Sequence, residues 1–248
     1  MKKNVTAIIQ ARMKSTRLPG KSMRDLAGKP LIAHVVERTQ AIVGVDIVVL
    51  ATSEGAENHP IIACAESMGA AVFTGSENNV LERYFMAAER FGGDYIVRVT
   101  GDNPFTDPWH GARTLEHAVQ SGADLCSPLG LPLGTAVEIF SRKALERAYL
   151  ESTEPHQKEH VSPYIKEHEE LFTVVRYNEP LPCSFPRLRL TVDTEDDYRV
   201  ADILYSALYR GGPFSTEDVL RYIEKNPEVA EINIDVVQRS MKHYEKQS

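Results

Sequence analysis

The sequence predicts an α/β fold, a mainly parallel sheet flanked by helices. Three observations carry that expectation. Short apolar runs alternate with helical patterns through the first hundred residues. The runs are rich in Val, Ile and Ala and lack a polar face, as strands buried on both sides do. Proline marks helix starts and glycine marks helix ends. The length of 248 residues suits one large domain, read as residues 1–248. A small excursion from the main sheet is expected near residues 128–187.

The elements follow in order. Residues 5–9 form the first strand, 47–51 the second, 71–74 the third and 95–99 the fourth. Helices are predicted over 30–42, 60–68 and 80–91. Pro30 and Pro60 suit first-turn positions. Leu81, Tyr84, Phe85 and Ala88 share one helical face. Gly44, Gly69 and Gly92-Gly93 punctuate the ends. Beyond Pro104 the rhythm loosens. A helix over 109–120 and a strand over 124–127 precede a loop at 128–134 rich in proline and glycine. A strand at 137–140, a helix at 142–150, a helix at 159–168 and a strand at 172–177 follow. Pro180, Pro182 and Pro186 mark a second loop. The spacing then predicts a strand over 188–192, a helix over 195–209 and two helices from 216 onward.

Composition narrows the function. Hydrophobic residues make up 42 % and charged residues 25 %, the profile of an ordinary soluble globular chain. The net charge of -7 argues against a whole-surface nucleic-acid binder. The total hides an asymmetry, because residues 1–38 hold nine basic and two acidic side chains. A basic start on an acidic protein suits a small polyanion. The uncharged stretch 4–11 is marginal for a signal sequence, and no cleavage-site pattern follows it. No stretch approaches the roughly 20 apolar residues of a membrane span. Cys64, Cys126 and Cys183 give neither a disulfide framework nor a zinc pattern. A cytoplasmic protein with no nucleic-acid or membrane partner is expected.

The basic charge concentrates directly after the first strand. Arg12, Lys14, Arg17 and Lys21 fall within ten residues, with Ser15, Thr16 and Gly20 among them. Ligands of open α/β sheets bind at the carboxyl ends of strands, which favours a phosphate site over a solvated loop. Arg offers a planar fork for phosphate oxygens and Lys a movable charge. Gly20-Lys21-Ser22 is not a Walker loop, since the required first glycine is Ser15 and no long helix follows at once. No G-x-G-x-x-G follows a strand, so a dinucleotide oxidoreductase lacks its fingerprint.

Two further strands end in carboxylates, one at Gly101-Asp102-Asn103-Pro104 and one at Val192-Asp193-Thr194. A nucleotide-bound Mg²⁺ takes one or two carboxylates and completes its octahedron with phosphates and water. Asp102 and Asp193 beside a basic loop therefore suggest metal-assisted phosphoryl or nucleotidyl transfer. Simpler readings exist for each alone: Asp193 as a helix cap, Asp102 as a turn residue. His156 and His160 have a helical zinc spacing, but Gln157 stands where a metalloprotease base belongs.

Several blocks resemble a known family. Ile8-Ile9-Gln10-Ala11-Arg12, the run from Ser15 through Lys21 and Gly28-Lys29-Pro30-Leu31-Ile32 are similar to the opening of cytidylyltransferases that activate ulosonic and sialic acids. Gly75-Ser76-Glu77-Asn78-Asn79, Arg98-Val99-Thr100-Gly101-Asp102, Glu159-His160-Val161-Ser162-Pro163 and Thr191-Val192-Asp193-Thr194-Glu195 resemble its SpsF-like branch. The similarity spans roughly residues 4–205.

The resemblance implies a Rossmann-like nucleotide-diphospho-sugar transferase fold, CTP and Mg²⁺. Arg12, Arg17 and Lys21 would hold the triphosphate, assisted by Ser15. Ala11, Thr52, Ser53 and Asn79 would complete the nucleotide site. Asp102 and Asp193 would hold the metal, with Arg12, Lys21 and Asp102 as the catalytic set. Asn103, Glu138 and His160 would face the acceptor, a small acidic sugar destined for surface polysaccharide. A homodimer through residues 128–187 is implied as well. The chain departs from ulosonate enzymes where Pro-Ala-Arg gives way to Gln10-Ala11-Arg12 and Gln-Asp to Gly101-Asp102. A stretch His-x-x-Gly-Thr-Asp-Arg is also replaced by Asn78-Asn79-Val80-Leu81-Glu82-Arg83. A sugar or polyol phosphate acceptor and a nucleotide-sugar glycosyltransferase are the alternatives. The glycosyltransferase reading lacks an Asp-x-Asp motif.

Overall fold

A computed structural model describes residues 3–181, 185 and 187–238. Pro182, Cys183 and Pro186, named in the sequence reading, lie outside the described residues. The chain starts with β1 (Val5–Gln10), the small hairpin β2 (Asp25–Leu26) and β3 (Lys29–Pro30), and α1 (Leu31–Gln40). It continues through β4 (Ile47–Ser53), α2 (His59–Ser67), β5 (Ala71–Gly75), α3 (Val80–Phe91) and β6 (Tyr95–Thr100). Then come α4 (Pro108–Ser121), β7 (Leu125–Leu129), β8 (Glu138–Ser141), α5 (Arg142–Glu151), α6 (Pro155–His160), α7 (Pro163–Glu167) and β9 (Val174–Asn178). The described chain closes with α8 (Glu195–Leu208), α9 (Thr216–Lys225) and α10 (Glu228–Glu231).

Among the described residues seven strands form one sheet in the order β5-β4-β1-β6-β8-β7-β9. β5, β4, β1 and β6 run parallel. β8 is antiparallel to both β6 and β7, and β9 is parallel to β7. The stretch 128–187 thus returns β8 and β9 to the sheet. Strand alternation divides the core between the two faces. Ala7 and Ile9 of β1 join Val35 and Val36 of α1, Leu115 of α4, Leu204 of α8 and Leu220 of α9. Ile8 joins Leu81 and Tyr84 of α3, Leu145 of α5 and Ile165 of α7 on the other side. Burial on both faces is why these strands read as continuous apolar runs.

Two expected elements differ. Residues 188–192 form no strand of the sheet. Leu188, Leu190 and Val192 are buried, which produced the apolar alternation. Their backbone partners, however, are loop carbonyls: Leu190 N–H donates to Leu133 O (2.8 Å) and Val192 N–H to Asp102 O (2.8 Å). Gly134 permits this passage, since a Cβ there would lie 2.6 Å from Thr191 N. The helix expected over 159–168 is split into α6 and α7. Val161 adopts φ 69°, ψ -52°, and Ser162 N–H donates to His160 O across it (2.8 Å). This is the strained form of γ-turn, rare for a β-branched residue. Pro163 starts the next helix at its first turn, where a missing N–H costs nothing.

Tyr84 ties α3 to the sheet. Its fully buried hydroxyl lies 3.0 Å from Ile8 O and 3.1 Å from Val99 O. Tyr84→Phe is expected to lower stability by about 1 kcal/mol. Thermal unfolding should show Tm falling by about 2–4 °C for a chain of this size. An unchanged Tm would mean that the hydroxyl contributes no net bond.

Candidate active site

The carboxyl ends of β1, β4 and β6 lie side by side, with Gln10 in register with both Ala51 and Thr100. Gly101 N–H donates to Gln10 O (2.7 Å) as the chain leaves β6. A Cβ on Gly101 would stand 2.5 Å from the Cβ of Ala11, so only glycine lets the two loops touch. That contact carries the basic loop and the Asp102 loop out of the sheet together.

Lys21 is the meeting point. Its ammonium donates to Asp102 Oδ2 (3.2 Å), Asp193 Oδ1 (2.9 Å) and Val192 O (2.7 Å). The side chain is only 12 % exposed, against 30 % for Asp102 and 11 % for Asp193. Arg17 reaches Asp193 Oδ2 at 3.0 Å, and Arg189 donates to the same oxygen at 2.7 Å. Burial raises the Asp193 carboxyl pKa, but Lys21, Arg17 and Arg189 outweigh it and hold the group below its ordinary value.

The capping alternative for Asp193 is resolved by its neighbours. Thr194 caps α8, its hydroxyl accepting from Asp197 N–H (3.3 Å). Asp197 in turn accepts from Asp193 N–H, Thr194 N–H and Arg189 Nε. The Asp193 carboxylate is left to face the cations. Asp102 likewise spends its carboxylate on Lys21, while its backbone oxygen accepts from Val192.

The remaining expected residues divide around this cluster. Arg12 is half exposed and lies 3.9 Å from Glu77, outside the Lys21 group. Lys14 pairs with Glu57 (3.1 Å) and Glu77 (3.4 Å) on the same outer lip. Ser15 Oγ accepts from Leu18 N–H (3.4 Å) and shapes the loop. Ser53 and Thr52 are buried at the tip of β4. Asn79 caps α3, its side chain accepting from Glu82 N–H (3.0 Å).

Gln10 Oε1, Thr52 Oγ1 and Asn103 Oδ1 are buried and find no hydrogen-bond partner among the described residues. Three such atoms at one sheet edge suit a polar ligand that would satisfy them. Asn58, unnoticed in the sequence, builds this edge. It donates to Ser53 O (2.9 Å) and Ser53 Oγ (3.1 Å) and accepts from Met13 N–H (2.9 Å), fastening the basic loop to β4.

Beyond Asp102 lies a second polar group. Arg98 of β6 is opposite Glu138 of β8 and donates to it at 2.7 Å. Lys166 of α7, also unnoticed, bonds the other Glu138 oxygen. Burial works to raise the Glu138 pKa, but Arg98 and Lys166 prevail and hold it below its ordinary value. His160 closes this side, its pKa lowered chiefly by burial. Two cations against one carboxylate leave a positive surplus.

Comparison with known proteins agrees with this geometry. The family profile described as Cytidylyltransferase matches residues 6–232. An uncharacterised protein of Methanocaldococcus jannaschii is 34 % identical over 98 % of this chain and 99 % of its own. The spore coat polysaccharide biosynthesis protein SpsF of Bacillus subtilis is 33 % identical over 92 % of this chain and 97 % of its own. The structure of a cytidylyltransferase from Leptospira borgpetersenii superposes with TM-score 0.85 at 29 % identity. It covers 96 % of this chain and 99 % of that one.

Glu138 makes its group with Arg98 and Lys166 sensitive to acid. Its folded pKa lies below the ordinary 4.5, so the unfolded chain takes up the proton first. The stabilisation is therefore complete above about 4.5 and drains away as pH falls through the lower folded value. Denaturant unfolding should show a loss of stability below that pH, and Glu138→Gln should show a smaller one. Equal pH slopes in both proteins would contradict the assignment.

Proposed function

The chain belongs to the cytidylyltransferase family, and from that premise we propose that it transfers CMP from CTP to an acidic sugar and releases pyrophosphate. The acceptor would be of the ulosonic or nonulosonic type. One observation carries the reading: Lys21, Arg17, Asp102 and Asp193 converge at the tips of the sheet.

The pair of aspartates fits Mg²⁺. Both carboxylates reach the same ammonium, so both lie within reach of one small cation, and the donor set is all oxygen. Bound there, Mg²⁺ would supply charge neutralisation on the phosphate oxygens. The residues of the chain do the rest. Arg12, Arg17 and Lys21 would hold the triphosphate, Arg12 from the outer lip and the other two from inside. Ala11, Ser15, Thr52, Ser53 and Asn79 would line the nucleotide site.

The acceptor hydroxyl oxygen would attack the α-phosphorus in line with the departing pyrophosphate, its proton passing to solvent. One P–O bond forms as another breaks. Negative charge grows on the leaving group, where Lys21 and Arg17 would meet it. Asn103, Glu138 and His160 would line the acceptor side. The surplus of positive charge at Arg98 and Lys166 supports an anionic acceptor. The same surplus would also accept a phosphate, so a sugar or polyol phosphate is the second reading. The proposal extends to a cytoplasmic homodimer serving surface-polysaccharide synthesis, the process in the printed name of the Bacillus subtilis relative.

A pyrophosphate-release screen separates these readings. CTP, UTP, GTP and ATP are paired in turn with ulosonic acids and with phosphorylated polyols. Release with CTP and an ulosonic acid is expected; release only with phosphorylated acceptors would replace the first reading by the second. Asp102→Asn should reduce turnover at least about a hundredfold, equivalent to about 3 kcal/mol of transition-state stabilisation. Its circular dichroism spectrum should remain that of the parent. Parental activity in that variant would remove Asp102 from the catalytic set.

A further inference from the structure

A second group of ligand-type side chains lies where α4 and α9 begin. Asp107, His110 and Glu217 each offer an atom, and these atoms lie within 4.8 Å of one another. His110 is 96 % buried, being 4 % exposed, and neither ring nitrogen has a hydrogen-bond partner among the described residues. Its Nε2 is 3.5 Å from Glu217 Oε1 and its Nδ1 is 3.5 Å from Glu179 Oε1. A buried imidazole with two unsatisfied nitrogens is costly unless a ligand completes it.

We propose that Asp107, His110 and Glu217 bind a divalent transition-metal ion, with Zn²⁺ as the best match, that joins the start of α9 to the start of α4. Three features of the group support this. The donor set mixes imidazole nitrogen with carboxylate oxygen, which suits Zn²⁺ better than Mg²⁺. The 3.5 Å between His110 Nε2 and Glu217 Oε1 is close to the roughly 3.4 Å edge of a tetrahedron with zinc–ligand bonds of about 2.1 Å. Glu179 pairs with the Arg113 guanidinium at 2.7 Å, whereas Asp107 and Glu217 pair with no Lys or Arg among the described residues. Two negative charges are left over, and a dication balances them.

The surrounding contacts orient the ligands as a metal site requires. Asp107 Oδ1 accepts from Trp109 N–H (2.9 Å) and His110 N–H (3.0 Å), and Oδ2 from Thr216 N–H (2.6 Å). These bonds hold the carboxylate still and leave one lone pair, on Oδ2, for a cation. Glu179, whose side chain is fully buried, stands beside Nδ1, and Nε2 is the nitrogen that faces Glu217. The ion would stiffen the segment that carries Asp102, since α4 starts six residues after it.

The test is a Zn²⁺ titration of the full chain, stripped of metal by chelation and held in millimolar Mg²⁺. Isothermal calorimetry, fluorescence of the single Trp109 and thermal unfolding report binding. One equivalent should bind at micromolar concentration or tighter, shift the fluorescence and raise Tm. Glu217→Gln, at a position 30 % exposed, should fold and bind at least tenfold more weakly, with the Tm rise lost. His110→Gln should behave alike if it folds. Asp102→Asn should bind as the parent does, which separates this site from the catalytic one. Absence of Zn²⁺ binding in the parent, or parental binding in Glu217→Gln, would overturn the proposal.

Discussion

One ammonium group organises this molecule. Lys21 Nζ is bonded to two carboxylates and a backbone carbonyl that are separated from it by 81, 172 and 171 residues in sequence. A buried cation is expensive without such partners, and buried aspartates are expensive without a cation. Each therefore requires the others, and together they require β1, β6 and the start of α8 to stand where they do. Asp102 O accepting from Val192 N–H fixes the register between the two aspartate segments independently of their charges.

The charge balance around this point suits a site that receives a polyanion and its counter-ion together. Lys21, Arg17 and Arg189 face Asp102, Asp193 and Asp197. The inner cluster is thus neutral, so neither sign is left buried and uncompensated before a ligand arrives. Arg12 and Lys14 on the outer lip are more exposed and are held only by Glu57 and Glu77. In the proposed function they would steer an incoming triphosphate, because exposed ion pairs of this kind are weak and readily exchanged. Four of the nine basic side chains in the first 38 residues, Arg12, Lys14, Arg17 and Lys21, thereby acquire a location, in the loop after the first strand.

Most regular elements were legible in the sequence, because burial on both faces of the parallel strands leaves continuous apolar runs. Val80–Phe91 illustrates it, with caps and hydrophobic face agreeing. The strand misread at 188–192 shows the limit: apolar alternation reports burial, whereas a strand is defined by its backbone partners. The helix broken at Val161 shows another, since a single left-handed residue interrupts an otherwise helical pattern. In the candidate site, Lys21, Arg17 and Asp102 were readable as charges beyond strand ends, and Asp193 was readable beside them although the apolar run before it is no strand of the sheet. Asn58 and Lys166 were not. Their partners Met13 and Glu138 are 45 and 28 residues away.

In the proposed function Asp102 and Asp193 would act as one cation-binding pair beside a triphosphate held by Lys21 and Arg17. Anomalous diffraction from crystals grown with Mn²⁺ and a non-hydrolysable CTP analogue tests it most directly. A manganese peak is expected within coordination distance of a carboxylate oxygen from each aspartate, with the phosphates of the analogue against Lys21 and Arg17. Ordered analogue with no peak touching either aspartate would contradict it.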